Sequence, residues 1–229
     1  MIDETFAWLA DPETWTGRGG ISQQGLAHLR ISAIALLVAA ALAVPAGLFI
    51  GHTGRGRWLA INLAGAFRAI PSLGVLFVAI MLLLPRLQGE IAYELPVVIV
   101  LVLLAVPPIL SGTYAGVESV DPAARDAARG VGMTGAQVLR QVEIPAALPL
   151  LLSGLRSAML QIIATATIAA VVGVGGLGRF LIDGQASRRF EVMAGGAVVV
   201  AGLALAVDLV LSLVQRLVVS PGLREHRAG

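Results

Sequence analysis

Residues 95–114 read LPVVIVLVLLAVPPILSGTY, twenty residues without a charge. At about 1.5 Å of rise per residue, a helix of this length covers ~30 Å, the thickness of a bilayer's hydrocarbon core. Immediately beyond it, residues 115–147 become small and polar and hold Arg125, Asp126, Arg129, Arg140 and Glu143. A second apolar run, 148–172, follows, so a charged loop stands between two stretches that can each cross a membrane. Three more runs, 29–50, 59–84 and 192–217, meet the same length criterion. The expected fold is therefore all-α, a membrane protein of about five transmembrane helices.

Composition agrees. Only 13% of the 229 residues are charged and 57% are hydrophobic, where a soluble domain carries about 25% charged residues. The formal net charge of +2 is too small to argue for nucleic acid as a partner. All 16 basic residues are Arg, and Lys is absent. A phosphate-binding P-loop needs a Lys ammonium to reach the phosphates, so any ATP hydrolysis must sit on another chain. The absence of Cys excludes disulfides and thiol chemistry. Residues 1–25 carry Asp3, Glu4, Asp11 and Glu13 and no apolar run, which does not fit a cleavable signal peptide.

Orientation follows from Arg near the span ends. One side gathers Arg55, Arg57, Arg125, Arg129, Arg140, Arg224 and Arg227; the other has Arg18, Arg86, Arg179, Arg188 and Arg189, diluted by the acidic N-terminus. This bias places the N-terminus outside, the C-terminus inside and the loop 115–147 in the cytoplasm. Three parts are expected: an extracytoplasmic segment 1–25, a membrane body 26–217 and a cytoplasmic tail 218–229. Arg68 and Pro71 interrupt the second span, predicting two angled pieces, 59–69 and 72–84. Pro107 and Pro108 should distort the third span, because proline removes ladder hydrogen bonds.

Within the loop, Ser119 or Asp121 can cap a helix beginning at Pro122, where the missing donor costs nothing. That helix should run through 123–129 and stop at Gly130. Thr134 and Gln137 have the spacing of a capping box for a second helix, 135–142, ended by Pro145. Val138, Leu139 and Val142 give it an apolar stripe. The spacing thus predicts a helix–turn–helix at the membrane surface, hinged at Gly130 and Gly132.

Asp126, Ala127, Ala128, Gly132, Val142, Ile144 and Pro145 resemble the cytoplasmic signature loop of permeases in ATP-binding-cassette importers. That signature is Glu-Ala-Ala, three residues, Gly, nine residues, Ile, one residue, Leu-Pro. Here Asp126, Val142 and Ile144 are substitutions, and Ala127, Ala128, Gly132 and Pro145 match. Arg68-Ala69-Ile70-Pro71-Ser72-Leu73, Val106-Pro107-Pro108-Ile109-Leu110 and Gly173-Val174-Gly175-Gly176-Leu177-Gly178-Arg179-Phe180 look like the osmoprotectant branch, which moves glycine betaine, choline, carnitine or proline betaine. The resemblance implies a type I importer permease fold in a bacterial inner membrane, with a cytoplasmic coupling helix docking on ATPase subunits. It also implies an extracytoplasmic solute-binding protein and a second permease, identical or not. ATP would be used by the partner subunits, and this chain would bind no cofactor and catalyse nothing itself. Methionine and other amino-acid permeases share the plan, so the solute stays open between them.

Few residues could carry chemistry directly. His28, His52 and His226 are expected in three different connections, without metal-ligand spacing. Three ionisable residues fall within apolar runs: Arg68, Arg156 and Asp208. Intramembrane charges are usually paired or face water, so these read as a buried ion pair or as lining of the translocation path. Depth along the spans suggests that Asp208 pairs with Arg68 or Arg156. Aromatic cages for quaternary ammonium groups need several rings together, and the scattered Trp, Tyr and Phe leave only Trp8 and Trp15 as a local alternative. A secondary transporter or channel would need more intramembrane acids than Asp208, and a membrane enzyme would need clustered nucleophiles.

Overall fold

The computed structural model describes residues 1–58, 62, 65 and 71–219. Among the described residues every regular element is helical. These are α1 (Ile2–Ala10), α2 (Pro12–Thr16), α3 (Ile21–Thr53), α4 (Ser72–Leu83), α5 (Ile91–Glu118), α6 (Pro122–Gly130), α7 (Gly135–Val138), α8 (Ile144–Thr165), α9 (Gly178–Ala186) and α10 (Phe190–Val218). A π turn, Leu139–Glu143, joins α7 to α8, and a 3-10 stretch, Ala166–Val172, follows α8.

Among the described residues four helical stretches are long and apolar enough to cross a membrane: Pro12–Thr53, Ile91–Glu118, Gly135–Val172 and Phe190–Val218. They correspond to the first, third, fourth and fifth expected spans. The second half of the remaining span is α4, an apolar helix that starts directly after Pro71. Of its first half, 59–69, only Asn62 and Gly65 are among the described residues. Helix α5 continues through Pro107 and Pro108, since neighbouring structure in a bundle can satisfy the carbonyls that proline leaves free. One expectation needs correcting. His28 and His52 lie within α3, because helical structure begins at Ile21 and lasts to Thr53, beyond both ends of the apolar run.

The chain divides into two compact units. The first comprises Met1–Leu37, Ile70–Leu104 and Met159–Asp208. In it, Gln24, His28 and Ser32 form a buried polar row at i, i+4 and i+8 on α3. Each buried polar group needs a partner, and the Gly-rich turn supplies one. The Gly176 amide donates to Gln24 Oε1 at 2.7 Å. His28 Nε2 donates to the Ile163 carbonyl at 2.9 Å, near the point where α8 gives way to the 3-10 stretch. Gly173 and Gly176 take positive φ, 78° and 125°, so the turn uses glycine's left-handed freedom. Trp8 lies edge-on to Phe180, ring centroids 5.4 Å apart, and its ring stands where a Cβ on Gly195 would be. Trp15 Nε1 donates to the Leu9 carbonyl at 2.7 Å. The Trp8 ring is thus engaged in packing and the Trp15 indole in a backbone hydrogen bond.

The second unit comprises Val38–Ala69, Ala105–Ala158 and Leu209–Gly229. Its helices approach through small residues. A Cβ on Gly112 would stand 2.9 Å from the Gly154 Cα and 2.8 Å from the Leu150 carbonyl oxygen, and one on Gly116 only 2.8 Å from the Ala147 carbonyl oxygen. On the other side of α5, a Cβ on Gly47 would meet Thr113 at 2.6 Å, and one on Gly51 would meet Val117 at 2.6 Å. Gly47/Gly51 and Gly112/Gly116 are both Gly-x-x-x-Gly pairs, the spacing that lets membrane helices touch backbone to backbone.

Candidate functional site

Helix α6 opens with Asp121 as its cap, the side chain accepting from the Ala123 amide at 2.8 Å, and with Pro122 in the first turn. Its far end closes in a Schellman motif. The Met133 amide donates to the Ala128 carbonyl at 3.1 Å and the Gly132 amide to the Arg129 carbonyl at 2.9 Å. Gly132 occupies the left-handed position this motif requires, with φ 88°. Gly130 is the last helical residue, so the expected pair of hinges reduces to Gly132 alone.

The capping box at Thr134 is present, with the Thr134 amide donating to Gln137 Oε1 at 2.7 Å and the Gln137 amide to Thr134 Oγ1 at 3.4 Å. The helix it starts is not ended by Pro145. After Val138 the ladder widens into the π turn, in which the Ile144 amide donates to the Leu139 carbonyl, five residues back. The shifted register accommodates a residue without a donor at 145, and the helix continues as α8. In a π turn, residues about five apart stack on one face. Val138 and Glu143, five apart, are accordingly both buried, at 0% and 1% exposure.

The signature residues separate into two faces. Ala123, Asp126, Ala127 and Gly130, at i, i+3, i+4 and i+7, are all exposed and form one stripe of α6. Asp126 there faces Arg129 at 3.6 Å. Ala128, on the other face, is buried, which explains a small residue at that position. Val142 and Ile144 are half-buried and Pro145 is exposed. The outer stripe carries no large side chain, so it offers a flat backbone-dominated surface with one carboxylate.

The inner face contains a cluster that the sequence reading missed. Glu143 places Oε1 2.8 Å from Arg125 Nε and accepts at Oε2 from His52 Nδ1 at 2.6 Å. Arg125 also donates to the Val117 carbonyl. A buried charge must be paired and hydrogen-bonded; here the Arg125 guanidinium supplies the ion pair at 2.8 Å and the His52 imidazole the hydrogen bond at 2.6 Å. The available signal was Glu143 itself, an acid directly before the residues that open a span; its partners are 18 and 91 positions away in sequence.

The remaining candidates belong to other segments of the chain. Arg68 is outside the described residues. Arg156 on α8 and Asp208 on α10 are both half-buried, and neither is without a partner. Among the described residues no group of His, Cys, Asp or Glu could hold a metal ion; His226 is not among them.

Residues 43–223 match the family model described as "Binding-protein-dependent transport system inner membrane component". The chain belongs to this family. The permease is 35% identical over 197 residues to the glycine betaine/carnitine/choline transport system permease protein OpuCB of Bacillus subtilis, covering 86% of this chain and 88% of that one. It is 36% identical over 200 residues to the osmoprotectant import permease protein OsmW of Salmonella typhimurium, covering 86% and 91%. Its fold is like that of a chain in an inward-facing structure of the MetNI methionine ABC transporter, with a TM-score of 0.77 at 19% identity, covering 92% of the permease and all of the other chain. The chain is thus a multi-pass inner-membrane permease subunit of an ATP-driven importer, and ATP hydrolysis and solute capture belong to other components of such a system.

Proposed function

We propose that this permease carries a compatible solute with a quaternary ammonium group, such as glycine betaine, choline or carnitine, inward across the membrane. The observation that carries this reading is the identity of 35–36% over nearly the full chain to permeases named for these solutes. The methionine transporter's likeness is one of fold and lends its solute no weight. Helix α6 acts as the coupling helix: its flat outer stripe, with Asp126, Ala127 and the turn at Gly132, docks on the ATPase subunit. Val142, Ile144 and Pro145 carry the loop back into α8. The N-terminus faces outward and the C-terminus the cytoplasm, with the permease body at 26–217 between an extracytoplasmic segment 1–25 and a tail 218–229. Two permeases, of one or two kinds, would form the path, with Arg68, Arg156 and Asp208 lining it or pairing within it. The mechanism is alternating access driven by the ATPase pair, with no bond made or broken by this chain.

The test is ATP-dependent uptake of radiolabelled glycine betaine, choline, carnitine and methionine by proteoliposomes holding the permease with its ATPase and binding protein. Accumulation of one or more of the first three, unaffected by excess methionine, is the expected result. Uptake of methionine alone would replace the proposed solute class.

A further inference from the structure

Helix α6 has to do two things if it transmits force: it must meet the ATPase on one side and hold the membrane helices on the other. The outer stripe has no means of doing the second. The inner face does, through one carboxylate. Glu143 is 1% exposed and joins three elements: its own turn at the entrance to α8, α6 through Arg125 Nε at 2.8 Å, and the end of α3 through His52 Nδ1 at 2.6 Å. Arg125 adds a fourth by donating to the Val117 carbonyl near the end of α5. A Cβ on Gly135 would lie 3.5 Å from His52 Nε2, so the imidazole also abuts the first residue of α7.

We infer that Arg125, Glu143 and His52 form the joint through which movement of the coupling helix reaches the membrane spans, as positioning residues whose charge pairing makes α6, α3 and α8 move together. Three features favour a joint over passive glue. The His52–Glu143 contact is a short, directional hydrogen bond to a carboxylate, and with the Arg125 cation 2.8 Å from the same group the cluster resists shear that apolar contacts would allow. The carboxylate sits on a π turn, where the backbone ladder is already displaced and a helix can adjust. Each partner comes from a different element, so neither α6 nor α8 can shift without loading the same carboxylate.

This inference rests on the reading of α6 as the coupling helix, and its test separates the two. The complete complex is compared in proteoliposomes as wild type, as Glu143→Gln, and as the doubly neutral Arg125→Gln/Glu143→Gln. The double variant leaves no stranded buried charge, so it folds even where the single one does not. In the variants the ATPase should still co-purify and hydrolyse ATP, while uptake of choline or glycine betaine per ATP falls about tenfold or more, within the range of measured coupling energies. A cysteine at Ser153 on α8, in a chain with no native cysteine, reads the same effect without the solute: ATP changes its labelling in the wild type and no longer does so in the variants. Equal uptake per ATP and equal ATP-dependent labelling in wild type and variants would overturn the joint. Losses in uptake and hydrolysis that merely follow a loss of assembled complex in both variants would also overturn it, showing a role in folding alone. Hydrolysis by the wild type without uptake of either solute would refute the proposed solute class, and the labelling would still decide the joint. Failure of the ATPase to co-purify when the outer stripe residue Asp126 is changed to Arg, with the variants above intact, supports the docking face separately from the joint.

Discussion

Gly112 and Gly154 meet backbone to backbone, so close that a Cβ on Gly112 would stand 2.9 Å from the other's Cα. Gly112→Val should therefore force helices α5 and α8 apart, at a cost of about 1–3 kcal/mol for overpacking. Gly202→Val is the matched control, since a Cβ there meets nothing within 4 Å. Thermal stability in detergent, followed by fluorescence-detected size exclusion, should fall for the first variant and stay level for the second.

Gly132 gives a sharper separation between folding and docking. A side chain there meets no atom of this chain within 4 Å, but it must adopt φ 88°, which for an L-residue costs about 1–2 kcal/mol. Gly132→Ala should lower stability modestly and leave insertion intact. Gly132→Asp should add a charge at the docking surface and uncouple uptake from ATP hydrolysis at normal protein levels. Normal uptake by that variant would remove the loop from the coupling role.

Orientation is checked by single cysteines, which meet no native thiol in this chain. Ser22 is exposed at the start of α3, and Ser220 lies in the tail, outside the described residues. An impermeant thiol reagent applied to intact cells should label Ser22→Cys and spare Ser220→Cys. The reverse pattern would put α6 on the side without ATP.

Asp208 is the acid deepest within an apolar run, about nine residues or ~14 Å from the end of its span at 1.5 Å per residue. Removing a charge within an apolar run leaves the partner it was paired with uncompensated. Asp208→Asn should reduce folded yield, and a second substitution, Arg156→Gln or Arg68→Gln, should restore part of it. Recovery by neither would separate Asp208 from both arginines.

Local chemistry was readable from the sequence wherever the partners are neighbours in the chain. Asp121 and Pro122 announced α6, and Thr134 with Gln137 announced α7, because capping is settled within four residues. Apolar length alone located four of the spans. Glu143 was not readable, since its burial depends on a π turn that no nearby residue demands and on His52, which packing brings from a distant helix. Pro145 misled for the same reason: in a regular ladder it ends a helix, and after a π turn it opens one. The glycines of α5 were visible as residues, but which helix each one faces is a property of the packing.

Those glycines have a mechanical consequence. Where α5 touches α8 through Gly112 and Gly116, the nearest atoms are the Gly154 Cα and the carbonyl oxygens of Leu150 and Ala147, so the contact runs through main chain, which has no rotamers to exchange. Interlocked side chains can absorb a displacement by repacking; apposed backbones can only stay together or separate. This part of the permease is therefore built to behave as a stiff lever, passing on a push at its end instead of dissipating it along the way.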